Sequence, residues 1–259
     1  MFKKATKEKS KLRAAFFGPP GAGKTFTALR VATGIASVDK GRIAVIDTEH
    51  GTASKYSDYF DFDTIDLKIK KIENYTELMN AAQSAGYKVL VIDSLSHAWQ
   101  ELVDEIEILA KAKYQGNTFR AWGEGTPKQR DFIDALLSFD GHVIATMRSK
   151  IDYTTDQNDK GRLQVKRVGL KPEQGKDIEY EFDFLLEINQ EHYATVLKDR
   201  TGKYQDKNLE KPDEKFGAEL AAWLGISETK TTETKPVESK PATAGERLKD
   251  DDKPAEKPE

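Results

Sequence analysis

Four short apolar runs stand out in the first 150 residues, each bounded by polar or turn-forming residues. Residues 12–17 (Leu-Arg-Ala-Ala-Phe-Phe) lead into Gly-Pro-Pro-Gly, which suits a buried strand entering a tight loop. Residues 42–47 and 88–93 are two further runs, each ending in Asp, and residues 142–147 form the fourth. Between them apolar residues recur at helical spacing. Ala28, Leu29, Val31, Ala32 and Ile35 mark a helix over 25–37, and similar patterns cover 75–85, 95–113 and 127–138, the last with Pro127 in its first turn. Strands alternating with helices predict an α/β domain: a mostly parallel central sheet with helices on both faces. After Lys150 the pattern becomes strand-like with turns, over 163–168, 182–188 and 192–197. It predicts hairpins at the C-terminal edge of the sheet, closed by a helix over 214–224.

Composition narrows this picture to part of the chain. Of 259 residues, 37% are hydrophobic and 33% charged, too polar a balance for a core that uses the whole length. The excess lies at the ends. Residues 1–11 form a basic N-terminal arm with Lys3, Lys4, Lys7, Lys9 and Lys11, and residues 226–259 are rich in Pro, Lys and Glu with almost no large apolar side chains. That tail cannot bury enough surface to offset its ordering entropy and is expected to be disordered. The expected folded domain spans 12–225. There is no Cys, which excludes disulfides and thiolate metal sites. Neither a signal-peptide pattern nor a membrane-length apolar run is present, so a cytoplasmic protein without membrane contact is expected. The net charge of -3 identifies no partner.

The candidate chemistry begins at Gly18-Pro19-Pro20-Gly21-Ala22-Gly23-Lys24-Thr25, which satisfies G-x-x-x-x-G-K-[ST] between a predicted strand and a predicted helix. Glycines let the backbone N–H groups converge on a phosphate, and the helix that follows adds its positive N-terminal end. Lys24 reaches the outer phosphates, and the Thr25 hydroxyl joins the Mg²⁺ shell. Asp93, ending an apolar strand, suits the metal-side carboxylate, acting directly or through water. Guanine-type N-K-x-D runs are absent, which favours ATP with Mg²⁺ as the bound pair.

Residues 44–51, Ala-Val-Ile-Asp47-Thr-Glu49-His50-Gly, resemble the second core strand of RecA-type recombinases. The resemblance implies that Glu49 activates the attacking water, that Tyr56 (seven residues on) packs against the adenine, and that Phe26 adjoins the nucleotide. Val91-Ile-Asp93-Ser94 resembles the RecA metal motif, without the second acidic residue typical of the AAA+ class. Residues 142–151, with Arg148 and Lys150, resemble the strand entering RecA's second DNA-binding loop. Residues 12–205 as a whole are similar to the short RecA-like ATPases of bacteriophages, an impression strengthened by residues 179–183 and 197–202. The family implies a RecA-like P-loop fold and DNA-stimulated ATP hydrolysis in recombination, annealing or repair. It also implies single-stranded DNA as partner, assembly into a homo-oligomeric ring or filament, a single-strand-binding protein as a further partner, and work in a bacterial host's cytoplasm. Two departures stand against a full RecA analogy: Thr146 occupies the position of RecA's phosphate-sensing Gln, and RecA's separate C-terminal domain is missing.

Other sites are weaker. Lys198-Asp-Arg200 resembles the K-x-R element that hexameric RecA-class motors insert into a neighbour's ATP site, although two basic residues at a strand end are ordinary. Residues 152–177 read as a polar loop in which Lys160, Arg162, Lys166 and Arg167 are the expected DNA contacts, set against several acidic residues; a solvated surface hairpin is the competing reading. Residues 114–122 mix aromatics with one Arg and fit either base stacking or core. The four His residues match no metal spacing and receive no role. Two other functions remain open: a hexameric helicase or helicase partner, and a nucleotide-dependent switch that does not bind DNA.

Overall fold

Period-two alternation divides each central strand between two cores. The structure, a computed structural model, describes residues 2, 4, 10–157, 163–175 and 178–225, without the side chains of 156, 157 and 163–167. In chain order the elements are β1 (Arg13–Gly18), α1 (Lys24–Asp39), β2 (Ile43–Asp47), β3 (Asp63–Asp66), α2 (Ile72–Ser84), β4 (Val89–Asp93) and α3 (Leu95–Lys113). They continue with α4 (Thr118–Ser138), β5 (His142–Gln157), β6 (Leu163–Pro172), β7 (Phe184–Ile188), β8 (Tyr193–Asp199), β9 (Asn208–Glu210) and α5 (Glu214–Trp223).

The sheet runs β3-β2-β4-β5-β1-β7-β8-β9. Pairing is parallel from β3 to β7 and antiparallel through β8 and β9. Ala14 and Phe16 of β1 join the core under α1 and α5, whereas Ala15 and Phe17 join the opposite core under α2, α3 and α4. This is the expected fold class: a mostly parallel α/β sheet covered on both faces, with antiparallel strands at its C-terminal edge. Its consequence for function is geometric. The parallel strands all end on one rim, where Gly18 lies in register with Arg148 and Asp47 with Asp93. Ligands of open α/β sheets bind along such a rim.

Several elements differ from the sequence reading. Helix α4 starts at Thr118, so Pro127 lies inside it rather than in its first turn. The Asn117 side chain caps the earlier start by accepting from the Arg120 N–H at 3.0 Å, and Trp122 stacks on Trp99 with ring centroids 5.4 Å apart. These contacts hold the first turns in place despite their glycines. Of the aromatic stretch 114–122, Trp122 therefore packs against the core, while Phe119 is exposed. Strand β3 escaped notice because all four of its residues are exposed, leaving no alternation to read. Strand β9, three residues long, escaped for the same want of pattern. Strand β5 runs ten residues beyond its buried segment and pairs with β6 as an antiparallel ribbon, so the expected polar loop is largely a hairpin.

The expected DNA contacts Lys160 and Arg162 lie outside the described residues, as does the expected disordered tail, residues 226–259. Lys166 and Arg167 lie on β6, with side chains outside the described set. Most of the basic arm, residues 1, 3 and 5–9, is also outside it. Among the described residues no helix is long and apolar enough to cross a membrane.

Candidate nucleotide site

The phosphate loop bridges β1 and α1. Gly23 is the residue before the helix and has φ +81°, a left-handed conformation that a side chain rarely adopts. The turn between β7 and β8 braces the loop from below: His192 Nδ1 lies 3.0 Å from the Ala22 carbonyl oxygen. Lys24 folds back over the loop, donating to the carbonyls of Gly18 and Pro19 at 3.0 Å each. Burial draws its ammonium pKa down, Arg148 adds to this, and Asp93 and Glu49 oppose it.

Two cavities flank this loop and share Gly21. One, of about 540 Å³, is lined by Lys24, Thr25, Asp93, Glu49, Arg148 and Glu173, among others. The other, of about 410 Å³, includes Phe26, Tyr56, Arg30 and His192. Phe26 and Tyr56 meet edge to face at 5.6 Å, so the residues expected near the base share one cavity and those expected near the phosphates share the other.

Asp93 is 2% exposed and bonded on both oxygens. Thr25 Oγ1 donates to Oδ2 at 2.6 Å, and the Thr146 hydroxyl donates to Oδ1. Burial raises the Asp93 pKa, with Glu49 and Asp47 adding to it, while the two hydroxyls pull it back. Thr146, a departure from the RecA pattern, thus holds the carboxylate that the sequence reading expects on the metal side. Among the described residues no cluster of three or more His, Cys, Asp or Glu could hold a metal. One carboxylate and one hydroxyl fit Mg²⁺, which takes few protein ligands and completes its shell with phosphate oxygens and water.

Glu49 is positioned by its neighbours. Asp47, fully buried at the end of β2, accepts from the N–H groups of Glu49 at 2.6 Å and Ala53 at 2.7 Å and so shapes the loop. Arg148 donates to Glu49 Oε1 at 2.8 Å, and His97 Nε2 stands 3.7 Å away. Burial raises the Glu49 pKa, but the Arg148 bond and charge, with His97 and Lys70, outweigh it and hold the carboxyl below its ordinary value. His97 is pushed down to about 4, first by burial and then by Arg148 and Lys70, so it is neutral near pH 7. Its Nδ1 lies 2.6 Å from Thr48 Oγ1, which also bonds the Asp93 carbonyl and the Ser94 N–H. The sequence reading gave no role to His97 and none to Thr48. His97 does lie three residues after Ser94, in the first turn of α3, the one local signal that could have drawn attention to it.

Residues 10–217 match the sequence model of a protein family described as an AAA domain. The chain belongs to this family. Membership does not restore the second acidic residue of the AAA+ pattern, since Ser94 follows Asp93 in this AAA domain. No curated protein matches the chain. Among solved structures it resembles a KaiC-like protein from the hyperthermophilic archaeon Pyrococcus horikoshii, with 16% identity and a TM-score of 0.43, over 75% of this chain and 82% of that one.

Lys198 and Arg200 stand apart from this site. Strand β8 runs antiparallel to β7, so its last residues reach the rim opposite the phosphate loop. There Lys198 donates to the carbonyls of Glu179 and Tyr180 at 3.0 and 2.7 Å, and Arg200 pairs with Asp183 at 3.1 Å.

Proposed function

We propose that this AAA-domain chain is a Mg²⁺-dependent ATPase that acts on single-stranded DNA in recombination, annealing or repair. The observation that carries the reading is the convergence of Lys24, Thr25, Asp93 and Glu49 on one cavity beside the phosphate loop. Thr25 and Asp93 would hold Mg²⁺, which supplies charge neutralisation at the phosphates. Lys24 exchanges its loop carbonyls for phosphate oxygens. Glu49 takes a proton from the attacking water as the water oxygen bonds the terminal phosphorus and the bond to the ADP oxygen breaks.

The β5–β6 hairpin supports the DNA half of the reading. Its outer residues project from the sheet, and both of its bases line the cavity: Arg148 and Ser149 on β5, and Glu173 just after β6, whose N–H donates to the Arg148 carbonyl at 2.7 Å. A strand bound on the ribbon would bear directly on the residues that hold Glu49. Lys198 and Arg200 face away from their own loop, so a catalytic role for them requires a neighbouring subunit. A homo-oligomer follows from that role.

The test is ATP turnover with and without single-stranded DNA, in the parent and in Lys24→Ala and Glu49→Gln. Lys24→Ala should lose nucleotide binding, and Glu49→Gln should bind and not turn over. Normal ATP affinity in Lys24→Ala would sink the ATPase reading. An ATPase indifferent to DNA would favour the nucleotide switch, and strand displacement on a forked substrate would favour the helicase.

A further inference from the structure

The geometry points to Arg148 as a second phosphate-binding cation of this site, a guanidinium parked on Glu49 until the terminal phosphate of the nucleotide takes it. The inference rests on the reading of Gly18 to Thr25 as a nucleotide loop and names a residue which that reading does not use for binding.

Among the described residues Lys24 and Arg148 are the two cations lining the larger cavity, and Lys24 already spends two donors on loop carbonyls. Arg148 is in register with Gly18 on the adjacent parallel strand, which places its backbone about 5 Å from the first residue of the loop. That backbone is pinned on both sides: its N–H donates to Ser96 Oγ at 2.9 Å and its carbonyl accepts from Glu173. The side chain is different. It is 48% exposed, and among the described residues its hydrogen-bond partner is a single oxygen of Glu49. A guanidinium carries five N–H donors in a planar fork that suits two phosphate oxygens better than one carboxylate oxygen. A fixed backbone with an under-used fork at the mouth of a phosphate cavity is poised to exchange partners.

The terminal phosphate is the natural acceptor. Arg148 and Glu49 lie in the cavity with Thr25 and Asp93, whereas Phe26 and Tyr56 line the other cavity. The exchange has a second effect. When Arg148 moves to phosphate, Glu49 loses the partner that occupies Oε1 and becomes free to meet water, with His97 still beside it. ADP, lacking that phosphate, leaves the pair intact.

Equilibrium binding of a non-hydrolysable ATP analogue and of ADP, with Mg²⁺ and without DNA, tests this on the full chain. Arg148→Ala should weaken the analogue about ten- to a hundredfold, the usual loss for a hydrogen bond between charged groups, and leave ADP within about twofold. Retained ADP binding also reports an intact fold. Arg148→Lys should recover part of the loss. Glu49→Gln should tighten the analogue about two- to fivefold by weakening a half-exposed ion pair, and the gain should vanish in the double variant with Arg148→Ala. Equal losses for analogue and ADP, or none for either, would overturn the inference. So would an Arg148→Ala defect confined to binding of a single-stranded oligonucleotide, which would assign the guanidinium to DNA phosphates. If the parent chain binds neither nucleotide, the failure belongs to the ATPase reading itself.

Discussion

His142, the first residue of β5, makes the stability of this domain depend on pH in a calculable way. Its side chain is fully buried, and its Nδ1 accepts from the Leu12 N–H at 3.1 Å, tying the start of β5 to the residue before β1. Burial lowers the imidazole pKa to about 4, and Lys11 and Arg13 push it the same way. Asp39 Oδ2, at 3.6 Å from Nε2, is too distant for a hydrogen bond and does not offset burial. Between pH 6.5 and 4 the unfolded chain therefore carries a proton that the folded chain refuses. Stability is fully present above 6.5, falls as pH falls, and levels off below 4. The gap between 6.5 and about 4 corresponds to about 3 kcal/mol, of which about 2 kcal/mol is lost by pH 5. Urea unfolding from pH 7.5 to 4.5, for the parent and His142→Asn, measures it. Asn keeps an acceptor for the Leu12 N–H and removes the titration, so the parent should lose about 2 kcal/mol more than the variant by pH 5. Parallel curves would refute the reasoning. A parent that gained on the variant as pH fell would show that Asp39 pairs with a charged His142.

Two further outcomes test the packing and the assembly. A Cβ at Gly34 of α1 would lie 1.9 Å from the Glu214 carbonyl oxygen of α5, whereas one at Gly123 of α4 meets nothing within 4 Å. Thermal unfolding should therefore show Gly34→Ala destabilised by about 1–3 kcal/mol and Gly123→Ala stabilised by about 0.5–1 kcal/mol; similar effects from both would mean that α1 and α5 do not approach this closely. If Lys198 and Arg200 act in a neighbour's site, mixing Glu49→Gln with Arg200→Ala should restore part of the hydrolysis that each lacks alone. A co-assembled mixture that stays inactive would reduce both residues to a charged strand end.

What the sequence by itself determined is local. The phosphate loop is a contiguous run whose chemistry demands those residue types in that order, so it is readable without coordinates. The buried strands β1, β2 and β4 were equally legible, because burial on both faces requires an unbroken apolar run, and two of those runs end at Asp47 and Asp93. Only the tertiary structure decided the rest of the site. Glu49 meets Arg148 across 99 positions of sequence, Thr48 meets His97 across 49, and Asp93 meets Thr146 across 53. No periodicity records such meetings, because each is made by strands that become neighbours only when the sheet assembles. Elements without a buried face were illegible for a related reason. Strand β3 and the outer half of β5 are held by backbone pairing, which any side chain but proline permits, whereas hydrophobic pattern reports only what a side chain hides from water.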